Sequence, residues 1–490
     1  MSLFPPKTGL GGFGVELVDI KDCVASNLDL FSNPDNEMAL LYGKDVIINP
    51  TAAISNTGPY NFHVSGEGQE FTYFPLSRVL GIYSVIRKDK QPMTEIDFYS
   101  VCNLAPHSLF DSISVKLNNT IVNDKTHKNY HYNAFLTELL SYNQESKNTH
   151  LALHGWLPDT PTESDNTDYT THTALAERRE WVKDSQLVDF SIPLHCGIMN
   201  SERLLPPKVE MEVELSRGKD NLVIKTPIVK AYRRTVTKTV KTTETNAAGE
   251  QVEKESEVEE EEDVEEDNPE SVSEYEIVIH KLQLQVRKVI VHPEVIKAHT
   301  EMIRKTPAIY PICKNVVLTH LLHAGTTIET VSNVIRGKLP VQMIIGFVSQ
   351  QGYHGYTTRN PYHFAHYNLE TLYVSVNATA IPQPPFKPDF SRKLVARELR
   401  NLYDCLGVYH QNLSIGITKE MFLNNTTLYP IDFTPDKCGA FHAHQDHHGN
   451  VDINFAFSEP LPEPVTMICY AVYNNEFVRI DEFGNVSVSD

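Results

Sequence analysis

HSLFDSISVKLNNTIV (His107–Val122) and HYNLETLYVSVNATAI (His366–Ile381) lie over one another without a gap at a constant offset of 259 residues. His107 matches His366, Asp111 matches Glu370, Ser112 matches Thr371, Val115 matches Val374, Asn118 matches Asn377 and Thr120 matches Thr379. Each copy reads as a strand, an Asn-containing turn and a short strand, followed downstream by an amphipathic helix. Asparagine tolerates left-handed backbone angles, which gives that turn position a physical reason to recur.

A second pair follows in the same order. VDFSIP (Val188–Pro193) resembles IDFTP (Ile431–Pro435), and KVEMEVELS (Lys208–Ser216) lies over NVDINFAFS (Asn450–Ser458) at an offset of 242. Two ordered matches, each with its neighbours, point to a duplicated β-domain. The second copy runs from its next-to-last strand to its last through a short Pro-rich turn, SEPLPEP. The corresponding connection in the first copy, residues 217–273, is therefore an insertion, tolerated because loop-closure cost rises slowly with length. Its start, KAYRRTVTKTV (Lys230–Val240), is basic, and EKESEVEEEEDVEED (Glu253–Asp267) is almost all carboxylate, so a solvated, mobile loop is expected.

Composition sets the wider bounds. A chain of 490 residues is long for one core, so two large domains are expected. Segments rich in β-branched and aromatic residues dominate, among them EYEIVIHKLQLQVRKVIV (Glu274–Val291) and TMICYAVYNNEFVRI (Thr466–Ile480), so the class is all-β with a few inserted helices. Three helices are expected. In SRKLVARELRNLYDCLG, Val395, Leu399, Leu402 and Leu406 share a face between a Ser391 cap and Gly407. NAFLTELLSY (Asn133–Tyr142) turns Phe135, Leu136, Leu139 and Leu140 inward, and PEVIKAHTEMIRK (Pro293–Lys305) suits a connector.

A net charge of −20 repels phosphate backbones and argues against sequence-specific nucleic-acid binding. The seven cysteines are scattered with no C-x-x-C pair, and the start MSLFPPKTGLGGFG lacks the basic and apolar regions of a signal peptide. Reduced thiols and synthesis inside a cell, in an aqueous compartment, are expected. The longest apolar stretches, such as VQMIIGFV (Val341–Val348), are too short to span a bilayer.

The chemically sharpest segment is GAFHAHQDHHGNVDINFAF (Gly439–Phe457), with His442, His444, His447, His448 and Asp446 in close succession. Imidazole and carboxylate are ligands that zinc and iron select. The segment joins two strands, however, and has no H-E-x-x-H helix geometry. Neither a G-x-S-x-G elbow nor a G-x-x-x-x-G-K-[ST] loop occurs in the chain. SGEGQE (Ser65–Glu70) reads as a turn, and the sequons at Asn118, Asn377, Asn412 and Asn425 are at background frequency.

Tandem β-domains of this size, each with a helix after a hairpin, resemble the double jelly-roll major capsid proteins of adenovirus-like viruses. The resemblance is closer still to the hexon-like capsid proteins of Polinton/Maverick elements and adintoviruses. It is carried by SNTGPYNFHVSGEGQEFTYF (Ser55–Phe74), the two repeated hairpins with YHYNAFLTELLSY, NPYHFAHYNLETLYVSVNATAIPQPPFKPDF (Asn360–Phe390), and YPIDFTPDKCGAFH with the strands that follow. The resemblance implies two tandem eight-stranded jelly rolls and a homotrimeric, pseudo-hexagonal capsomer of an icosahedral shell. Neighbouring capsomers and a penton or minor capsid protein would be its partners.

On that reading residues 1–30 form an arm, 31–291 the first jelly roll with its 217–273 insertion, 292–309 a helical linker and 310–490 the second jelly roll. The implied location is the virion capsid, and no catalytic, cofactor or metal residues are assigned. The runner-up is a bicupin-like metalloenzyme using His442 and His444, with His447 or Asp446 as a further ligand. Gly439 stands too close to His442 for that pattern, and QDHHGN lacks its glutamate. A lectin-like β-sandwich module is the third reading, with Tyr353, Tyr356 and Tyr362 lining a pocket or, instead, anchoring a loop or subunit contact.

Overall fold

The computed structural model describes residues 37–94, 97–123, 128–245, 251–267, 274–412, 414–437 and 445–489. In the first half the strands are β1 (Leu40–Ile48), β2 (Tyr60–Val64), β3 (Glu70–Arg87), β4 (Ser100–Val101), β5 (Phe110–Leu117), β6 (Thr120–Asn123), β7 (Val188–Ile192), β8 (Met211–Arg217), β9 (Ile224–Lys225), β10 (Val229–Thr245), β11 (Gln251–Asp267) and β12 (Tyr275–Val291). The helices among them are α1 (Ala105–Ser108), α2 (Tyr130–Ser141), α3 (Gln144–Lys147), α4 (Thr173–Val182) and α5 (Asp220–Val223). After α6 (Pro293–Ile303) come β13 (Ala308–Leu322), β14 (Ile328–Lys338), β15 (Gln342–Ser349), β16 (Leu369–Val376), β17 (Thr379–Phe386), β18 (Tyr429–Asp432), β19 (His448–Phe457), β20 (Val465–Ile480) and β21 (Val486–Ser489). Helices α7 (Gln350–His354), α8 (Ala396–Cys405) and α9 (Lys419–Asn424) are inserted between these strands.

The first half forms two four-stranded antiparallel sheets, β1-β12-β3-β7 and β2-β8-β5-β6, and the second half forms β13-β20-β15-β18 and β14-β19-β16-β17. Counting in each half only the eight strands of these two sheets, the orders are identical: first, eighth, third, sixth in one sheet, and second, seventh, fourth, fifth in the other. This is the jelly-roll order, written twice. Alternation builds each core: Met211, Val213 and Leu215 of β8 point inward, as do Val451, Ile453 and Phe455 of β19. Where a strand changes phase, a bulge does it. In β12 the buried set moves from Tyr275, Ile277 and Ile279 to Leu282, Leu284 and Val286 across an irregularity between Ile279 and Lys281.

The repeated hairpin is reproduced in detail. β5 and β16 begin and end 259 residues apart, and their turns place Asn118 and Asn119, then Asn377 and Ala378, at positive φ. Two residues at positive φ give the tight connection that a right-twisted hairpin prefers. Each hairpin's partner ladder has an irregularity at the same place, between Phe110 and Ser112 and between Leu369 and Thr371.

The downstream match needs correction. Val115 pairs with Val213 while Val374 pairs with Ile453, so β8 and β19 correspond at an offset of 240, not 242. A slip of two residues keeps every side chain on its own face, which is why apolar alternation alone did not reveal it.

Two local expectations also change. α8 starts at Ala396 after a turn in which Asp389 Oδ1 accepts from the Ser391 hydroxyl at 2.7 Å and from the Arg392 amide at 2.8 Å, so Ser391 does not cap the helix. The basic and acidic stretches do not form an irregular loop. β10 and β11 pair in antiparallel register over their whole length, setting Arg233 opposite Asp263, Arg234 opposite Glu262 and Lys241 opposite Glu255.

Candidate functional site: the seam between the two jelly rolls

Helix α2 lies in the connection between the fifth and sixth strands of the first jelly roll, and it is buried nearly all round. Tyr130, His131, Tyr132, Ala134, Phe135, Leu136, Glu138, Leu139 and Leu140 are all buried. An amphipathic helix on one sheet would hide a single stripe. Here the second jelly roll covers the other side. β15 shows why: Met343, Ile345 and Phe347 belong to the second core, while Ile344 and Val348 of the same strand join the cluster that contains α2. Burial on both faces accounts for the unbroken apolar run of that strand.

Aromatic rings fill the seam. Phe135 stacks on Tyr362 with centroids 4.2 Å apart, and Tyr132 faces Tyr353 at 6.0 Å. The Tyr362 hydroxyl is hydrogen-bonded to Ser108 at 2.5 Å, and the Tyr132 hydroxyl donates to the Pro361 carbonyl at 2.9 Å. Two of the three tyrosines weighed as pocket residues, Tyr353 and Tyr362, thus pack against the other half of the same chain. The third, Tyr356, offers its carbonyl to Lys225 Nζ at 3.2 Å.

Polar bonds fix both ends of the seam. At one end Asn360 Nδ2 donates to Asp159 Oδ2 at 2.7 Å, Arg359 pairs with Asp165 at 2.7 Å, and the Thr226 amide donates to the Thr357 carbonyl at 3.0 Å. At the other end Asn118 Nδ2 donates to the Gly484 carbonyl at 2.8 Å and the Thr120 hydroxyl to the Val486 carbonyl at 3.2 Å. At the first end the connection following β15 meets the connections that lead into β7 and β12, which begin where β3 finishes, and at the second the hairpin turn after β5 meets the turn after β20. The two sandwiches therefore stand side by side and the same way up.

Within the seam lies a polar cluster. Glu138 is fully buried, and three imidazoles converge on its Oε1: His154 Nδ1 at 2.7 Å, His195 Nε2 at 3.0 Å and His107 Nε2 at 3.2 Å. Burial alone would raise the Glu138 pKa, but the three imidazole contacts outweigh it and hold the carboxyl well below its ordinary range. His107 is pushed down to about 4, first by burial, against the pull of Glu138. Glu138 is thus held as an ionised carboxylate beside a neutral His107 ring. Nearby Lys147 is drawn down to about 8 by burial and donates to the carbonyls of Leu139 and Ile415, each at 2.6 Å.

The histidine segment singled out by its composition lies elsewhere. His442 and His444 fall outside the described residues. Asp446, His447 and His448 are exposed; Asp446 pairs with Lys338 at 3.4 Å, and the His447 carbonyl accepts from Leu339 at 2.8 Å. Among the described residues, the group able to converge on a metal is His107, Glu138 and His154. His107 entered the sequence reading only as a repeat position. Its counterpart His366 stacks on Phe390 at 4.1 Å instead.

No protein-family model matches the chain. The Caenorhabditis elegans protein named "Uncharacterized protein F54H12.2" is 20% identical over 457 residues, covering 91% of this chain and 96% of that protein. Among solved structures, VP54 of PBCV-1 superposes with a TM-score of 0.53 at 9% identity, over 94% of this chain and 99% of that one. A chain of the Sputnik virophage gives 0.54 at 11% identity, over 96% and 93%. The Faustovirus major capsid protein gives 0.52 at 9% identity, over 91% of each chain.

The fold is the double jelly roll of viral major capsid proteins. In this double jelly roll the likeness runs through both sandwiches, since nine-tenths or more of each chain is covered. No helix among the described residues is long and apolar enough to cross a membrane.

Proposed function

We propose that this chain is a major capsid protein that assembles into homotrimeric, pseudo-hexagonal capsomers of an icosahedral shell. One observation carries the reading: two sandwiches of identical strand order, held upright side by side by a fully packed seam. Three such chains around an axis present six similar lobes, the near-hexagonal outline that a closed lattice needs. A fixed seam matters because lobes free to swing would not tile. On this reading the working surfaces are the outer side walls of the two sandwiches, and the partners are copies of the same chain, with a penton or minor capsid protein at the vertices.

A Polinton/Maverick-type or adintovirus source accords with the pairing of relatives, a protein from an animal on one side and viral capsid chains on the other. The virion capsid is the corresponding location. The connection carrying β10 and β11 lies at the end where the third strand finishes, and the histidine segment at the end where it starts, so the acidic hairpin faces outward and the histidines face the shell interior. Electron microscopy of the expressed chain tests the assignment. Pseudo-hexagonal particles support it, and a trimer with the acidic hairpin at its inner base overturns the orientation.

A further inference from the structure

The Glu138 cluster has a geometry that hydrogen bonding alone does not explain. An ionised carboxylate has two oxygens and about four acceptor directions, so three imidazole donors would ordinarily be shared between them. All three approach Oε1, while the equally buried Oε2 has no hydrogen-bond partner among the described residues. His107 Nε2, although 3.2 Å from Oε1, is also without a hydrogen-bond partner, because its ring N–H direction does not point at the oxygen. His154 Nδ1 and His195 Nε2 are in hydrogen-bond geometry with Oε1, and the unaligned approach of His107 Nε2 is what a lone pair converging with the carboxylate looks like. In a tetrahedral zinc site with bonds near 2.0–2.1 Å, ligand atoms sit about 3.3 Å from one another. The nitrogen–oxygen separations of 2.7–3.2 Å are already close to that edge.

The surroundings fit as well. The Tyr130 hydroxyl lies 3.0 Å from His107 Nδ1 and orients that ring from behind, while it accepts from the backbone amide of His195 at 3.4 Å. Such outer contacts set the tautomer and aim of a ligating imidazole. Three ligand groups from separate places in the fold, α1, α2 and the turn at His154, meet where solvent does not reach, and His195 from the segment after β7 bonds the Glu138 carboxylate.

We propose that His107, Glu138 and His154 form a buried structural site for one divalent transition-metal ion of the zinc class, which fastens these connections of the first jelly roll to α2, with His195 hydrogen-bonded to the Glu138 carboxylate from outside the ligand set. Two imidazole nitrogens and a carboxylate, shut away from solvent, suit a structural rather than a reactive ion. The site is independent of the capsid reading and would serve any function of the fold that needs the seam held fixed.

Elemental analysis of the gel-filtered full chain, expressed with zinc, cobalt, iron and manganese supplied, tests this. The exposed histidine segment is a competing binder, so the decisive protein carries Asn at 442, 444, 447 and 448 in place of His. It should keep about one ion per chain, and Glu138→Gln should lose it. X-ray absorption of the zinc-loaded segment variant should show nitrogen and oxygen neighbours with imidazole scattering, a readout needing no change in the cluster. Folded protein without a stoichiometric ion, loss of the ion with the segment histidines, or sulfur neighbours would each overturn the proposal.

Discussion

The ring of Phe135, on a helix of the first jelly roll, lies on the ring of Tyr362, from the second, with planes 5° from parallel. The two residues are 227 positions apart in the chain, and their contact is the centre of the seam. Truncation there should be felt by the whole molecule. Phe135→Ala is expected to cost about 3–5 kcal/mol, read from denaturant midpoints. A double-mutant cycle with Tyr362→Ala should return a coupling of about 0.5–1.5 kcal/mol. Additive effects would mean that the rings merely fill space.

Ala378 holds φ of 68° in the second hairpin turn, where the first copy has Asn119. A Cβ in that region is strained by about 1–2 kcal/mol. Ala378→Gly should therefore stabilise the chain or leave it unchanged, despite the greater freedom glycine gives the unfolded state, whereas Ala378→Val should lower the melting temperature. The comparison needs only thermal unfolding.

His131 is buried with neither ring nitrogen bonded among the described residues, and burial pushes its pKa down to about 3. An unfolded histidine titrates near 6.5, so between these values the unfolded state binds the proton and the folded state does not. Stability should fall as the pH is lowered through that window, by up to about 1.4 kcal/mol per unit from this residue. His131→Leu should flatten the acid limb of a stability–pH curve and leave the neutral limb intact or raised.

Among the described residues, the paired strands β10 and β11 bond to each other and to no other sheet. The matching connection of the second jelly roll has no such ribbon. Excising residues 229–267 with a short flexible join should leave the melting temperature within a few degrees, since neither sandwich loses a core strand. A large loss of stability would show that the ribbon packs on the body.

Much of this arrangement was legible in the chain because a β-hairpin writes its own pattern. The asparagines at 118 and 377 fixed the turn, and the duplication followed from it. What period-two and helical periodicities report is burial on one face, and they fail where two halves cover both. Leu136, Leu139 and Leu140 suggested an ordinary amphipathic helix, whereas Glu138 among them is buried against His107, His154 and His195. A carboxylate inside AFLTELL was the available signal. His107, His154 and His195 carried none, since three histidines from separate connections meet only through the fold. The run at residues 442–448 attracted attention through density alone.

The mass of the purified native chain is the most direct test of tiling by paired sandwiches. The account predicts a stable particle of three times the 55.5 kDa chain mass, or larger assemblies built from it. A protein that stays at 55.5 kDa at every concentration, with both sandwiches folded, would contradict it.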